Sequence, residues 1–358
     1  MNSLNFQPIL ANFGKDVNTC AVEPFGNGHI HSTYLVTSSS YQNTPKFILQ
    51  HINQHVFPHP TQVMENITRV GNHLAQKANY PLLNLMPLLT VSDNTYYLDE
   101  NGDYWRMFPF FEHTITFSKV AQPAQAYQAA NAFAQFLLAL SDFPTHQLHE
   151  TIVGFHDSMA RFEAFKTALQ TGIKTRLQAC QAEIDFVLAT AFIFEKVVEL
   201  GLPIRTTHND TKLDNVLLDA VTHQGVCVID LDTVMPGIIL SDFGDMVRTF
   251  TNTQAEDSDF FEGINSEISI FKALASGFLD VLNGTLTPLE ISSLVLGAKW
   301  MILEQAMRFL TDYLLGDTYY KVSYPEHNLV RTKNQLALFR SIIAQETAME
   351  DFIAQSLK

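Results

Sequence analysis

Residues 207–232 constrain this chain more than any other stretch. They read Thr207-His208-Asn209-Asp210-Thr211-Lys212-Leu213-Asp214-Asn215-Val216-Leu217-Leu218, and then Val226-Cys227-Val228-Ile229-Asp230-Leu231-Asp232. The first part is His-x-Asp-x-x-x-x-Asn, and the second is a buried β-like run that ends in a carboxylate. An aspartate on a turn can accept a hydrogen bond from an incoming hydroxyl. An asparagine a few positions on, with an aspartate on the next hairpin, supplies hard oxygen ligands suited to Mg2+. Taken singly, Asp210, Asp214, Asn215, Asp230 and Asp232 are ordinary turn or hairpin residues. Taken together, with Val226, Val228 and Ile229 delivering Asp230, they have the spacing of a phosphoryl-transfer site. In that reading Asp210 meets the acceptor, Asn215 and Asp230 hold the metal, and His208 and Asp232 support the loop.

The charge balance agrees with a site that needs a metal. Among 358 residues, 22 Lys+Arg face 37 Asp+Glu, a formal net charge of -15. A surface this acidic repels phosphate backbones and anionic lipid, which argues against nucleic acid or a membrane as partner. Any polyanionic ligand then requires a local cation or a metal. Hydrophobic residues make up 46% of the chain, enough to fill two domains or one bilobed unit. Cys20, Cys180 and Cys227 are odd in number, far apart and without metal-ligand spacing. Neither a disulfide framework nor a structural zinc is expected, and a reducing cytoplasm is the expected location. No signal-peptide pattern and no apolar run long enough for a membrane helix is seen.

Two textures divide the chain. Up to about residue 108, short β-like runs alternate with turns: Ile30 to Thr37, Lys46 to Ile52, Leu88 to Val91, Thr95 to Leu98 and Tyr104 to Phe108. Ser92-Asp93-Asn94 and Glu100-Asn101-Gly102-Asp103 read as hairpin turns. Within this region Gln62 to Gln76 carries Val63, Ile67, Val70 and Leu74 on one helical face. After Phe111 the spacing predicts helices over Ala124 to Leu140, Ser158 to Leu169, Glu183 to Leu200 and Phe260 to Leu282, with a polar surface loop over Asn252 to Glu267. Thr287-Pro288-Leu289-Glu290 is a capping box that starts a long apolar-periodic segment to about Leu315. The expected fold class is α+β: a small antiparallel β-rich lobe over residues 1–108 and a larger, mainly helical lobe over residues 109–358, joined near 107–112.

Other segments fit the same chemistry. Phe25-Gly26-Asn27-Gly28 leads into a strand, so backbone N–H groups of Gly26, Asn27 and Gly28 could approach phosphates, although an ordinary hairpin turn would look the same. His31 stands where a third glycine would complete the pattern. Gln50 occupies the position where a phosphate-pairing lysine is expected, and Lys46 lies about 13 Å away along the strand. Either Gln50 bonds the phosphates as a neutral donor or another cation does so. Glu65, without a lysine opposite, reads as a solvated helix face. In Asp242-Phe243-Gly244-Asp245, Asp242 either anchors the catalytic loop by accepting backbone hydrogen bonds or caps a helix, and Asp245 is placed toward the substrate. Arg308, Asp312, Tyr313, Tyr319 and Tyr320 suit a sugar ring or a helix core and its cap equally. His327 and Arg331 read as packing groups, and His156-Asp157 as a helix cap.

These motifs resemble the aminoglycoside phosphotransferase and choline kinase superfamily, whose members share a bilobed protein-kinase-like fold. Longer blocks, among them Pro24 to Val36, Trp105 to Thr114, Met307 to Leu314 and Tyr324 to Thr332, resemble the N-acetylhexosamine 1-kinases within it. The resemblance implies ATP and Mg2+ as cofactors, with Asp210 as catalytic aspartate and Asn215 and Asp230 as magnesium ligands. It also implies that the backbone of Pro109, Phe110, Phe111 and Glu112 meets adenine, and that Gln50 belongs to the pattern. The implied reaction moves the ATP γ-phosphate to the anomeric hydroxyl of N-acetylglucosamine or N-acetylgalactosamine. Choline, homoserine or an aminoglycoside as acceptor, and a catalytically inactive nucleotide-binding protein, remain the alternative readings.

Overall fold

The computed structural model describes residues 5–26, 30–39 and 45–356. A short helix α1 (Gln7–Asn12) precedes strands β1 (Cys20–Pro24), β2 (Ser32–Ser38) and β3 (Lys46–His51). Helix α2 (Pro60–Ala75) follows, then β4 (Tyr97–Leu98) and β5 (Tyr104–Pro109). The five strands form one sheet in the order β1-β2-β3-β5-β4, and every pairing is antiparallel. Alternation along β2, β3 and β5 turns Val36, Leu49, Trp105 and Met107 to one face, where they pack with Ile9, Leu10 and Phe13 of α1 and its C-cap. The run Leu88–Val91 does not become a strand. It lies extended and makes single bonds, Leu88 N–H to the Met107 carbonyl at 2.7 Å and Val91 N–H to the Asn12 carbonyl at 2.8 Å, without the repeated exchange that a ladder needs. Strand β1 had no periodic signal of its own and forms because β2 offers it an edge.

The predicted stripe of α2 is its buried face, and Val63, Met64, Ile67, Val70 and Leu74 join the large helical core rather than the small cluster under the sheet. The helix therefore ties the sheet to the second half. Beyond β5, β6 (Thr114–Ile115) leads to α3 (Pro123–Ala139), α4 (Ser158–Thr171), α5 (Lys174–Ala179), α6 (Gln181–Thr190) and α7 (Phe192–Glu199). The expected helix over 183–200 is thus two, broken at Ala191. Next come β7 (Arg205–Thr207), β8 (Val216–Asp219), β9 (Gly225–Val228), β10 (Met235–Gly237) and α8 (Ile239–Phe250). The chain ends in α9 (Ile268–Leu282), α10 (Pro288–Ser292), α11 (Leu294–Leu315) and α12 (His327–Gln355). α9 begins only at Ile268, where the Glu267 side chain accepts from the Ser269 N–H. The ends of the polar segment before it are stitched together by an Asn252–Ser266 bridge.

The capping box forms with both reciprocal bonds, but α10 ends at Ser292 and α11 restarts after Ser293. Glu290 also takes a two-point contact from Arg205 (2.6 and 2.8 Å), which fixes α10 against β7 and separates it from α11. α11 then crosses α8 at a point where both chains carry glycine. A side chain at Gly244 would collide with the Gly297 backbone, and one at Gly297 would meet Leu240. That close approach fixes the middle of α8 around Gly244, between Asp242 and Asp245.

Candidate active site

Strand β7 pairs with β10, Thr207 opposite Met235, and the chain then turns through His208 and Asn209 into Asp210. His208 is fully buried against Phe133 and Phe136. Its Nε2 donates to the Ile229 carbonyl at 3.0 Å, and its Nδ1 accepts the Asp210 N–H at 3.3 Å. One imidazole thus joins the Asp210 loop to the strand that delivers Asp230. Asn209 sits at φ 65°, and its side chain holds Thr207, Ser241 and the Thr233 carbonyl together. Asp242, inside the first turn of α8, accepts the N–H groups of His208 (2.8 Å) and Asn209 (2.6 Å). It does not cap its own helix, whose N-cap is Ile238. Burial pushes its carboxyl up to about 6, against the partial relief that His208 and the two backbone donors give.

Hairpin β8–β9 does the rest of the positioning. Val216 stands opposite Val228, and the Ile229 N–H donates to the Asn215 carbonyl at 2.9 Å, so Asn215 and Asp230 emerge side by side. The Asn215 amide donates to the Asp210 carbonyl (2.8 Å) and to Asp210 Oδ2 (2.9 Å), leaving its oxygen to the cleft. Lys212 Nζ also meets Asp210 Oδ2 at 2.9 Å. Burial opposes ionisation of Asp210, but Lys212, together with His208 and the Asn215 amide, outweighs it and holds the carboxyl below its ordinary value. Asp230 behaves in the opposite way. Burial, then Asp232 and Asp210, push its carboxyl up, and among the described residues no hydrogen bond reaches it. An amide oxygen beside a carboxylate crowded by like charge fits a hard divalent cation. Asn215 and Asp230 are the residues that could hold Mg2+. Asp230, Asp232 and His31 also place ligand atoms within 4.8 Å of one another, but Asp232 is already engaged on both oxygens.

Its partner is Arg106 of β5, whose guanidinium meets Asp232 at 2.5 and 2.8 Å, with both side chains only 2% exposed. His31 Nε2 reaches the same carboxylate at 2.5 Å, while its Nδ1 accepts the Asn53 N–H. Burial disfavours the Asp232 anion, and Arg106 and His31 together overcome that and hold its carboxyl far below the ordinary range. Gln50 is opposite Arg106 in the ladder and accepts from its Nε at 2.9 Å. Lys46 is removed from this cluster. It lies at the other end of β3, 3.4 Å from Glu112 and over the Phe110 ring. Gly26 takes φ 74°, which glycine supplies without strain, and Phe25 beside it meets Phe110 edge-on at 5.9 Å. The glycine turn therefore starts next to Phe110 of the segment Pro109, Phe110, Phe111 and Glu112; Asn27 and Gly28 lie outside the described residues. Glu65 is half-exposed and pairs with Arg69 and His149, as a solvated face would.

Around His156, which bonds the Asn209 carbonyl next to Asp210, the groups are arginines and aromatics. Arg308 of α11 lies 5.2 Å from the Phe155 ring and 5.8 Å from that of Tyr320, and it donates to Gln305 Oε1 at 3.3 Å. Arg161 of α4 is close enough that Arg308, after burial, holds its guanidinium below the ordinary value. Asp245 accepts from Arg248 at 2.8 Å through one oxygen. Its other oxygen is buried without a partner among the described residues. Asp312 and Tyr313 are core and cap: Asp312 accepts the N–H groups of Thr318, Tyr319 and Tyr320, and Tyr313 is buried under Arg176. Asp157 caps α4, but His156 does more than cap. It spans from Glu304 (2.8 Å) to the Asn209 carbonyl (3.2 Å), linking α11 to the Asp210 loop. Arg331 packs over Phe309 and His327 is buried beside Tyr324, both as packing groups. Arg106, Lys212, Arg161 and Glu304 are among the polar residues of this region that sequence reading did not single out, and His156 was read only as part of a cap. Only Lys212 had a local signal, from its place between Asp210 and Asn215.

No helix among the described residues is long and apolar enough to cross a membrane. The structure is similar to an aminoglycoside phosphotransferase from Alicyclobacillus acidocaldarius, with a TM-score of 0.60 and 15% identity over 99% of this chain and 96% of that one. It is similar to a spectinomycin phosphotransferase in complex with ADP and spectinomycin, at 0.57 and 13% over 98% and 97%. A choline kinase from Cryptosporidium parvum matches at 0.54 and 15% over 92% of each chain. At these identities the likeness establishes the fold, bilobed and protein-kinase-like, with a small antiparallel β-rich lobe and a larger helical one. Residues 21–265, from β1 through the loop that follows α8, match the phosphotransferase enzyme family. That span contains the Asp210 loop, the hairpin delivering Asp230 and the helix that anchors both, and the chain belongs to this family of small-molecule phosphotransferases.

Proposed function

We propose that this chain is an ATP- and Mg2+-dependent kinase that phosphorylates the anomeric hydroxyl of an N-acetylhexosamine. The observation that carries the acceptor assignment is the charge of the side-chain cluster that His156 ties to the Asp210 loop. Arg161 and Arg308 are neighbours there, next to Phe155 and Tyr320, with Glu304 as the carboxylate between them and His156. Two adjacent guanidiniums repel a quaternary ammonium or an aminoglycoside, and they donate well to hydroxyl and amide oxygens. The unpartnered oxygen of Asp245 is an acceptor for a sugar hydroxyl, and aromatic faces suit a pyranose ring.

In this reading the lobes 1–108 and 109–358 close over the nucleotide, with adenine against the backbone of Pro109–Glu112 and the phosphates under the Gly26 turn. Asn215 and Asp230 hold Mg2+, which supplies charge neutralisation at the transferring phosphoryl group. Asp210, kept ionised by Lys212 and aimed by the Asn215 amide, accepts the hydrogen bond of the anomeric hydroxyl and aligns it. Since the chemistry is mostly alignment and charge compensation, the rigid Asp242 and His208 anchors matter as much as basicity.

A coupled ADP-release assay tests the reading against N-acetylglucosamine, N-acetylgalactosamine, choline, ethanolamine, homoserine and an aminoglycoside. Turnover is expected with the two amino sugars, and D210N is expected to lower it about 100- to 10,000-fold while ATP binding persists. Turnover of the cationic acceptors with none of the sugars overturns the acceptor assignment.

A further inference from the structure

The Arg106–Asp232 pair needs an explanation beyond stability. Desolvating two charges to 2% exposure offsets most of their attraction, so apolar residues of equal volume would hold the lobes together as well. What the pair supplies is geometry. Gln50 and Arg106 face each other across the β3–β5 ladder, so the Gln50 oxygen takes Nε and turns both terminal nitrogens across the cleft. They meet Asp232 as a fork on a carboxylate. Asp232 belongs to the single turn Leu231–Thr233, directly after Asp230, which is held at φ 59° and ψ 55°. That left-handed conformation is disfavoured for a non-glycine residue and persists where the surroundings impose it. The turn is gripped from several sides. Arg106 and His31 hold the Asp232 carboxylate, Thr151 Oγ1 donates to its carbonyl at 2.6 Å, and the Asn66 amide of α2 holds the Val234 carbonyl at 3.1 Å.

We propose that Arg106 and Asp232 form an interlobe brace that fixes the turn presenting Asp230 to the metal. Strand β5 thereby takes over, through an arginine, the link between nucleotide cover and phosphate site that position 50 does not provide. Arg106, Asp232 and His31 are positioning residues in this scheme. The inference rests on the reading of Asp230 as a metal ligand.

Calorimetry of nucleotide binding with and without Mg2+ tests it on the full chain without any acceptor, so acceptor identity does not enter. The double variant R106Q/D232N removes both charges together, with an isosteric Asn at 232 and a shorter polar side chain at 106. It is expected to fold, to bind metal-free ADP as the parent does, and to lose about tenfold or more of the affinity that Mg2+ adds to ATP binding. R106K keeps the charge but not the fork and is expected to lose less, in the same direction. Parent-like Mg2+ dependence in both variants overturns the brace. Equal losses with and without metal also overturn it, because they make the pair a fold element only. A parent that gains no affinity from Mg2+ refutes the metal reading itself, and the brace with it.

Discussion

Asp312→Asn tests whether the turn after α11 builds the acceptor pocket. Oδ1 of Asp312 accepts the N–H groups of Thr318 and Tyr319, each at 2.8 Å; Oδ2 accepts the Tyr320 N–H and the Asn328 amide, each at 2.9 Å. An asparagine has one oxygen, so whichever way its amide is turned, its NH2 faces two donors. Asn328 cannot flip to compensate, because its Nδ2 also donates to Asp317 at 2.9 Å. Each buried donor left unmet costs about 1–3 kcal/mol, so the substitution costs roughly 2–6 kcal/mol. The turn can shed most of that by opening to water, which displaces Tyr319 and Tyr320 from Arg308. The KM for the acceptor is therefore expected to rise about tenfold or more, since about 1.4 kcal/mol is a factor of ten. The KM for ATP, which the proposed function puts under the Gly26 turn, is expected to stay within about twofold of the parent. Steady-state kinetics with each substrate varied in turn, alongside a thermal melt, measures both. Unchanged acceptor KM and melting temperature in D312N would refute the reasoning.

Two further outcomes follow from the loop and the junction. Because burial raises the Asp242 carboxyl from 3.8 to about 6, the folded chain keeps that proton where the unfolded chain has released it. Its contribution to stability is full below about pH 4 and is lost as the pH rises through about 6. D242N does not titrate, so the stability of the parent minus that of D242N is expected to fall across this window in denaturant unfolding; parallel profiles contradict it. Near the Pro109–Glu112 junction, Lys46 and Glu112 form an exposed pair worth at most about 1 kcal/mol. K46A is thus expected to change the KM for ATP by less than about fivefold, and a larger rise would put this lysine at the phosphates.

The parts of the site that could be read from the sequence are those whose geometry is local. Asp210 and Asn215 share one loop, and Asp230 follows on the hairpin that Asn215 begins, so spacing alone nearly determines their juxtaposition. Asp242 was legible as an anchor because the aspartate of a helix's first turn either caps that helix or reaches a neighbouring loop. Helix boundaries were read less well where tertiary contacts override periodicity. Arg205 pins Glu290 and divides α10 from α11, and the two halves of 183–200 part at Ala191. The long α12 lacked an apolar stripe because it is buried on several sides, with Asn328, Thr332, Asn334 and Gln335 inside as well as Leu336 and Phe339.

Gln50 marks where spacing ceases to inform. Read along the chain, it is a missing cation in an acidic protein, and an inactive scaffold becomes a reasonable alternative. Read across the ladder, it is the acceptor that orients a cation from the next strand, and that pairing depends on a register no local pattern encodes. Arg106 and Asp232 are 126 positions apart, and neither residue type is unusual where it stands. A lysine at position 50 would put two cations beside one carboxylate and remove the oxygen that holds Arg106 Nε. The glutamine and the arginine are therefore one solution, and the substitution that looks like a loss on β3 is the condition for the contact made from β5.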